Sequence, residues 1–201
     1  MGACSSLCGD KVTVETKSEF NEIHTGSREG ITRDELAVYI EKHAELWAML
    51  SVNLNISEDE CKMIATEVAF QMSCRIDKNA LKKRKSIMDV REFHNFRKAI
   101  IDNPQGQVSF FHRTVFAAFD KDNSGTLNSE ELNNFLELFY QADSIFAGDF
   151  RLPEKEELKK IIYSKFDKNG DKLLTYDEMH DIISGRTQLS SVSANVGGEK
   201  K

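Results

Sequence analysis

Two short polar stretches concentrate the side chains that could do chemistry. In DKDNSGTLNSEE, residues 120–131, oxygen-bearing side chains recur at alternate positions: Asp120, Asp122 and Ser124. Gly125 follows where the chain must turn sharply, and Thr126 offers a backbone carbonyl. Asn128 sits where a ligand often acts through water, and Glu131 closes the stretch with a carboxylate able to bind through both oxygens. That alternation wraps about six to eight oxygens around a hard cation, and the chemistry it predicts is calcium binding. The stretch DKNGDKLLTYDE, residues 167–178, repeats the pattern with Asp167, Asn169, Asp171, the Leu173 carbonyl, Thr175 and Glu178. It departs from it at Lys172, where the turn wants glycine. A side chain forced toward the left-handed region costs roughly 1 kcal/mol, and a positive charge is added beside a cation site. Since ~1.4 kcal/mol is tenfold in affinity, the second loop is expected to bind several-fold to about tenfold more weakly. A folded loop without an ion is the alternative.

Helices must hold these loops. Val108, Phe111, Val115, Phe116 and Phe119 recur at helical spacing and lead into Asp120, while Leu132, Phe135, Leu136 and Phe139 continue the period beyond it. Pro153 suits the first residue of a helix through Leu158, Ile161, Ile162 and Phe166. Upstream, Ser57-Glu58-Asp59-Glu60 has the form of a capping box before Met63, Ile64, Val68, Phe70 and Met72, which predicts a helix from about Ser57 to Cys74. Asn103-Pro104-Gln105-Gly106 is expected to separate two halves, and residues 186–201 to form a disordered tail.

Loops of this spacing between helices resemble the EF-hand superfamily, whose members pair their hands. The resemblance implies that Leu127 and Leu174 join the two loops. It extends to the first half, where FNEIHTGSREGITRDEL matches the family pattern at Phe20, Ile23, Ile31, Glu35 and Leu36. LKKRKSIMDVREF does so at Met88, Glu92 and Phe93. His24, Gly26 and Arg28 in the one, and Leu81, Lys83 and Lys85 in the other, stand where oxygens are needed. The implied fold is all-α, with four EF-hands in two paired lobes, the first two hands degenerate and structural, and Ile31 paired with Met88. The implied segments are an N-terminal stretch 1–15, a lobe 16–103, a calcium-binding lobe 107–185 and the tail.

The opening, MGACSSLCGD, has the pattern of an N-myristoylation site with Gly2 as acceptor, and Cys4 and Cys8 are then candidates for palmitoylation. With the EF-hand pattern, this start resembles the acylated calcium sensors: calflagins of flagellar membranes, neuronal calcium sensors and plant calcineurin B-like proteins. The segment 75–98 carries nine basic and three acidic residues in a chain of net charge -6. Lys82, Lys83, Arg84 and Lys85 could therefore meet anionic lipid heads or form an ordinary solvated loop.

The acidic total argues against a general nucleic-acid binder. No apolar run approaches the ~20 residues that span a bilayer. The first stretch lacks the apolar core of a secretory signal, so the four cysteines are expected to be reduced. His24, His43, His94, His112 and His180 form no HExxH pattern, and no phosphate loop or nucleophile elbow occurs, so no enzyme is expected. The expected function is a calcium sensor at the cytoplasmic face of a flagellar or plasma membrane, with a cytosolic pool, which exposes an apolar surface to a target protein or amphipathic helix. A calcium buffer, or a regulatory subunit of a phosphatase or kinase, are the alternatives.

Overall fold

The computed structural model describes residues 11–54, 56–76, 87–145 and 154–184. Gly2, Cys4 and Cys8, the basic run Lys82, Lys83, Arg84 and Lys85, Pro153 and the tail lie outside the described residues. The chain divides into two compact units, Met1–Phe111 and His112–Lys201, and the described secondary structure is almost entirely helical.

The first unit begins with α1 (Val14–Ile23), started by Thr13, whose hydroxyl accepts from the Thr16 amide at 3.1 Å. The loop 24–32 leads to α2 (Arg33–Lys42), which opens on a capping box between Thr32 and Glu35. Its acidic first turn and terminal Lys42 both oppose the helix dipole favourably. After a 3-10 turn, Ala44–Leu46, come α3 (Ala48–Leu54) and α4 (Glu58–Ile76). The Ser57 hydroxyl accepts from the Glu60 amide at 3.2 Å, so the expected helix start is present and the helix runs a turn-fraction beyond Cys74. α5 (Val90–Phe96) opens on a second capping box, Asp89 with Glu92, and continues into a π turn, Arg97–Ile101.

One bridge ties the two loops of this unit together. The amides of Ile31 and Met88 each donate to the other's carbonyl at 2.8 Å. Both side chains are buried, and in the same unit Phe93 meets Phe20 and Tyr39 edge-on at 5.8 and 4.9 Å. Arg97 of the π turn pairs with Glu15 and Glu19 of α1. Cys61 is fully buried with a free thiol, and burial followed by the charge of Glu60 pushes that thiol up.

Several expectations need correction. Asn103-Pro104-Gln105-Gly106, expected to separate two halves, does so without interrupting the secondary structure for long: Pro104 is the first residue of α6 (Pro104–Phe119), and the division between the compact units falls after Phe111. The Asn103 side chain caps it by accepting from the Gln105 amide at 3.1 Å, and proline loses nothing where the helix leaves its first amides unpaired anyway. α6 runs across the division between the units. Its buried side chains include Phe110, Thr114, Phe116 and Ala118, while Val108, counted in the sequence periodicity, is 47% exposed. Met63 of α4 is likewise 66% exposed, while the buried face of that helix includes Cys61, Ala65 and Ala69 together with Val68 and Phe70, the last two as the sequence period expects.

In the second unit α6 is followed by β1 (Thr126–Leu127), α7 (Ser129–Ile145), α8 (Lys155–Phe166), β2 (Leu174–Thr175) and α9 (Tyr176–Ile183). α8 starts at Lys155, two residues later than Pro153 would have it. Glu154 at its N-cap keeps an extended backbone and its carbonyl receives the amides of Glu157 and Leu158. β1 and β2 pair antiparallel in the register Thr126 to Thr175 and Leu127 to Leu174. Both leucines are fully buried in a core with Phe116, Leu132, Phe135, Leu136, Leu158, Ile162, Met179 and Ile182. No described helix is long and apolar enough to cross a membrane.

The Ile31–Met88 bridge requires a residue without a side chain beside it. A Cβ on Gly30 would lie 2.6 Å from the Met88 carbonyl oxygen. Gly30→Ala is expected to destabilise the first unit by about 1–3 kcal/mol, the usual cost of a forced contact in a packed interior. Denaturant unfolding followed at Trp47, the chain's one tryptophan, checks this, and an unchanged midpoint would contradict it.

Candidate metal centre

The loop between α6 and α7 is shaped by its own acids. Asp120, the residue after α6, accepts at Oδ1 from the Ser124 amide (2.9 Å) and at Oδ2 from the Gly125 amide (2.8 Å). Asp122 Oδ1 accepts from the Ser124 amide at 2.9 Å. These bonds need a chain that turns twice through the left-handed region, at Asn123 (φ 54°) and Gly125 (φ 82°). The Ser124 hydroxyl then donates to the Thr126 carbonyl at 3.0 Å, so two of the oxygens expected as ligands converge. At the far end Glu131 is buried and accepts from the Lys121 amide at 2.8 Å and the Asn128 amide at 3.0 Å.

The outcome is a cluster of acids. One ligand atom each from Asp120, Asp122 and Glu131 lie within 4.8 Å of one another. Burial pushes the Asp120 carboxyl up, the amides of Gly125 and Ser124 offset part of that, and the neighbouring acids Asp122 and Glu131 push it further. Asp122, fully exposed, is held below the usual range by the hydroxyl and amide of Ser124. Buried and crowded negative charge is stabilised by a cation, and an all-oxygen donor set suits a hard one. The donors fit calcium: Asp120, Asp122, Ser124, the Thr126 carbonyl and Glu131 would hold it. Asn128 has a second duty, since its Oδ1 accepts from the Glu130 and Glu131 amides at 2.9 and 3.1 Å and caps α7.

The loop between α8 and α9 is built on the same backbone frame, with some partners changed. Asp167 accepts from the Gly170 amide (2.8 Å) and the Lys172 amide (2.9 Å), and Asp171 from the Leu173 amide (2.8 Å). Asn169 Nδ2 donates to Asp171 at 2.8 Å. Glu178 accepts from the Lys168 amide at 3.0 Å and the Thr175 amide at 2.9 Å, and Thr175 caps α9 in a capping box with it. Burial alone would raise the Glu178 carboxyl, but the donors of Thr175 and Lys168 outweigh it and hold the group low. The carboxylates at the ligand positions of this loop, Asp167, Asp171 and Glu178, do not gather as those of the first do: the one such acidic cluster among the described residues is that of Asp120, Asp122 and Glu131.

Lys172 has φ 62° and is left-handed as its place in the turn demands, two residues after Gly170 at φ 75°. The loops thus use the same two left-handed positions with the residues exchanged, Asn then Gly in the first, Gly then Lys in the second. The roles of Asn123 and Gly170 were not drawn from the sequence, although both are residue types that favour this region.

Residues 103–184 match the family model of an EF-hand domain pair. The matched span is that from the start of α6 to the end of α9, and it supports the resemblance to the EF-hand superfamily and calcium binding in this half. No curated protein matches the chain.

Two substitutions separate strain from charge at Lys172. Lys172→Gly is expected to tighten calcium at the 167–178 loop several-fold, up to about tenfold, by removing roughly 1 kcal/mol of left-handed strain. Lys172→Gln, which keeps the strain and removes only the charge, should gain less. Calorimetric titration of both variants checks this, and equal gains would locate the defect in charge alone. Glu131→Gln removes a carboxylate oxygen from the acidic cluster and is expected to weaken the 120–131 loop by well over tenfold in the same measurement.

Proposed function

We propose that this chain is a calcium sensor built of four EF-hands in two lobes, with ions in the loops 120–131 and 167–178 and degenerate, structural hands at 24–35 and 81–92. The observation that carries the reading is the gathered set of Asp120, Asp122 and Glu131 in a loop paired through Leu127 and Leu174 to a second of the same form. The Ile31–Met88 bridge supports the N-terminal pair, since it joins the two residues that the family pattern aligns with Leu127 and Leu174. The chain carries out no catalysis in this reading.

Sensing requires that calcium favour a form the target binds better. The apolar surface for that purpose is the core of the second unit, where Phe116 meets Tyr176 edge-on at 5.8 Å and Phe119 meets Phe135 at 5.4 Å. Reorientation of α6 to α9 on ion binding would uncover these rings for an amphipathic target helix. Anchoring rests on the sequence motif at Gly2 with Cys4 and Cys8, because one myristoyl chain holds a protein only marginally, on the order of 10⁴ M⁻¹, and a second lipid or the basic run Lys82 to Lys85 is needed.

Calcium titration with an apolar dye tests sensing. Emission is expected to rise on loading, to saturate with two sites, and to fail in Glu131→Gln. Binding with no rise in emission would identify a buffer. A partner retained equally with calcium and with chelator would identify a regulatory subunit. For the anchor, membrane fractionation of Gly2→Ala should find the protein released, and an unmodified Gly2 in the native protein would refute this part.

A further inference from the structure

The final glutamate of three loops is held in one way. Glu131 bridges the amides of Lys121 and Asn128, Glu178 those of Lys168 and Thr175, and Glu35 those of Thr25 (2.7 Å) and Thr32 (2.8 Å). Around Glu131 the acids Asp120 and Asp122 gather, and the loop of Glu178 carries Asp167, Asn169 and Asp171 at the corresponding positions of the sequence. In the loop 24–35 the equivalent places are taken by His24, Gly26 and Arg28. Arg28 folds back so that its Nη2 donates to Glu35 Oε1 at 2.7 Å.

We propose that Arg28 supplies from within the chain the positive charge that such a loop otherwise takes from an ion, so that the loop 24–35 is permanently filled and indifferent to calcium. The proposal rests on reading 24–35 as a degenerate hand. Donor counting carries it. Glu35 Oε1 accepts from the Thr25 amide, the Thr25 hydroxyl (2.6 Å) and Arg28, while Oε2 accepts from the Thr32 amide and the Thr32 hydroxyl (3.2 Å). A carboxylate offers about four lone-pair sites, so five donors leave none for a metal. Burial of Glu35 would raise its carboxyl, but the Thr25 hydroxyl, the Thr32 and Thr25 amides and Arg28 together hold it well below the usual range.

A tethered guanidinium differs from an ion in that it cannot be removed by chelation or dilution. The loop that makes the Ile31–Met88 bridge is then fixed in every calcium state. The first unit becomes a constant part of the molecule while the second responds.

The test uses the full chain in chelator, with unfolding followed at Trp47, which lies in the first unit and donates from its indole to the Ile40 carbonyl at 3.1 Å. Arg28→Met keeps the length of the side chain and removes the charge; it is expected to lower the midpoint by roughly 4–8 °C, and Arg28→Lys to recover part of the loss. The shift should be the same in saturating calcium. In a Glu35→Gln background the effect of Arg28→Met should vanish, which a merely packing role for Arg28 would not produce. Should Glu35→Gln fail to fold, acid titration replaces it. A carboxyl depressed in the fold contributes its full stability above its unfolded value of ~4.3 and loses it as pH falls from there through the depressed folded value, so the gap between wild type and Arg28→Met should hold above about pH 5 and close only as pH falls below the unfolded value.

An unchanged midpoint in Arg28→Met, an additive double variant, a gap that persists in acid, or a calcium site mapped to 24–35 in the native chain would each overturn the proposal. Because these unfolding experiments are done in chelator, absence of calcium binding in the second half would refute the sensor reading without touching this result.

Discussion

A carboxylate bonded to two backbone amides is the constraint on which the structure depends. Glu35, Glu131 and Glu178 each take one amide from near the start of a loop and one from just before the following helix, and Glu92 takes the second of these from Asp89 at 2.8 Å. The charge stands in the first turn of its helix, where the dipole favours it. It fixes the loop's width, the start of the helix and the direction of the strand between them. The paired strands follow: Ile31 meets Met88 and Leu127 meets Leu174, each four residues ahead of a glutamate that holds the backbone just before its helix. Buried carboxylates are costly without partners, so this one side chain sets both how the backbone must fold and what the loop can accept.

The balance of donors around that glutamate separates the loops. Where acids face it, as around Glu131, negative charges crowd into a small space and the local electrostatics call for a cation. Where Arg28 and two threonines face it, as around Glu35, the charge is satisfied within the chain. In the proposed reading the same backbone frame serves as an ion site or as a closed structural joint, according to three or four side chains.

Much of this was legible in the sequence. The alternating oxygens of 120–131 and 167–178, the pairing residues and the Ser57 helix start are local patterns that a short window contains. Other features depend on choices made at a distance. Pro104 reads as a breaker until Asn103 is seen to cap the helix behind it, and the apolar period of α6 misleads at Val108, which is exposed. Arg28 was read only as a missing ligand, since no linear pattern tells whether a side chain returns to its own loop. Lys172 was read correctly as a left-handed residue, because the turn that requires φ near 62° is set by the spacing of Asp167 and Asp171.

The ribbon of Thr126–Leu127 with Leu174–Thr175 is only two residues wide on each side, with a left-handed turn before each strand and a helix start after it. Neither strand can be ordered alone, so conformational entropy is lost for the two loops together. Whatever stiffens one loop has already met part of the ordering cost of the other, and a ligand arriving second finds a more rigid host. Such coupling is reciprocal: the strained loop with Lys172 gains from its neighbour the same free energy that it returns. Were both loops to take ions, positive cooperativity between them would follow from this two-stranded sheet, the one sheet among the described residues.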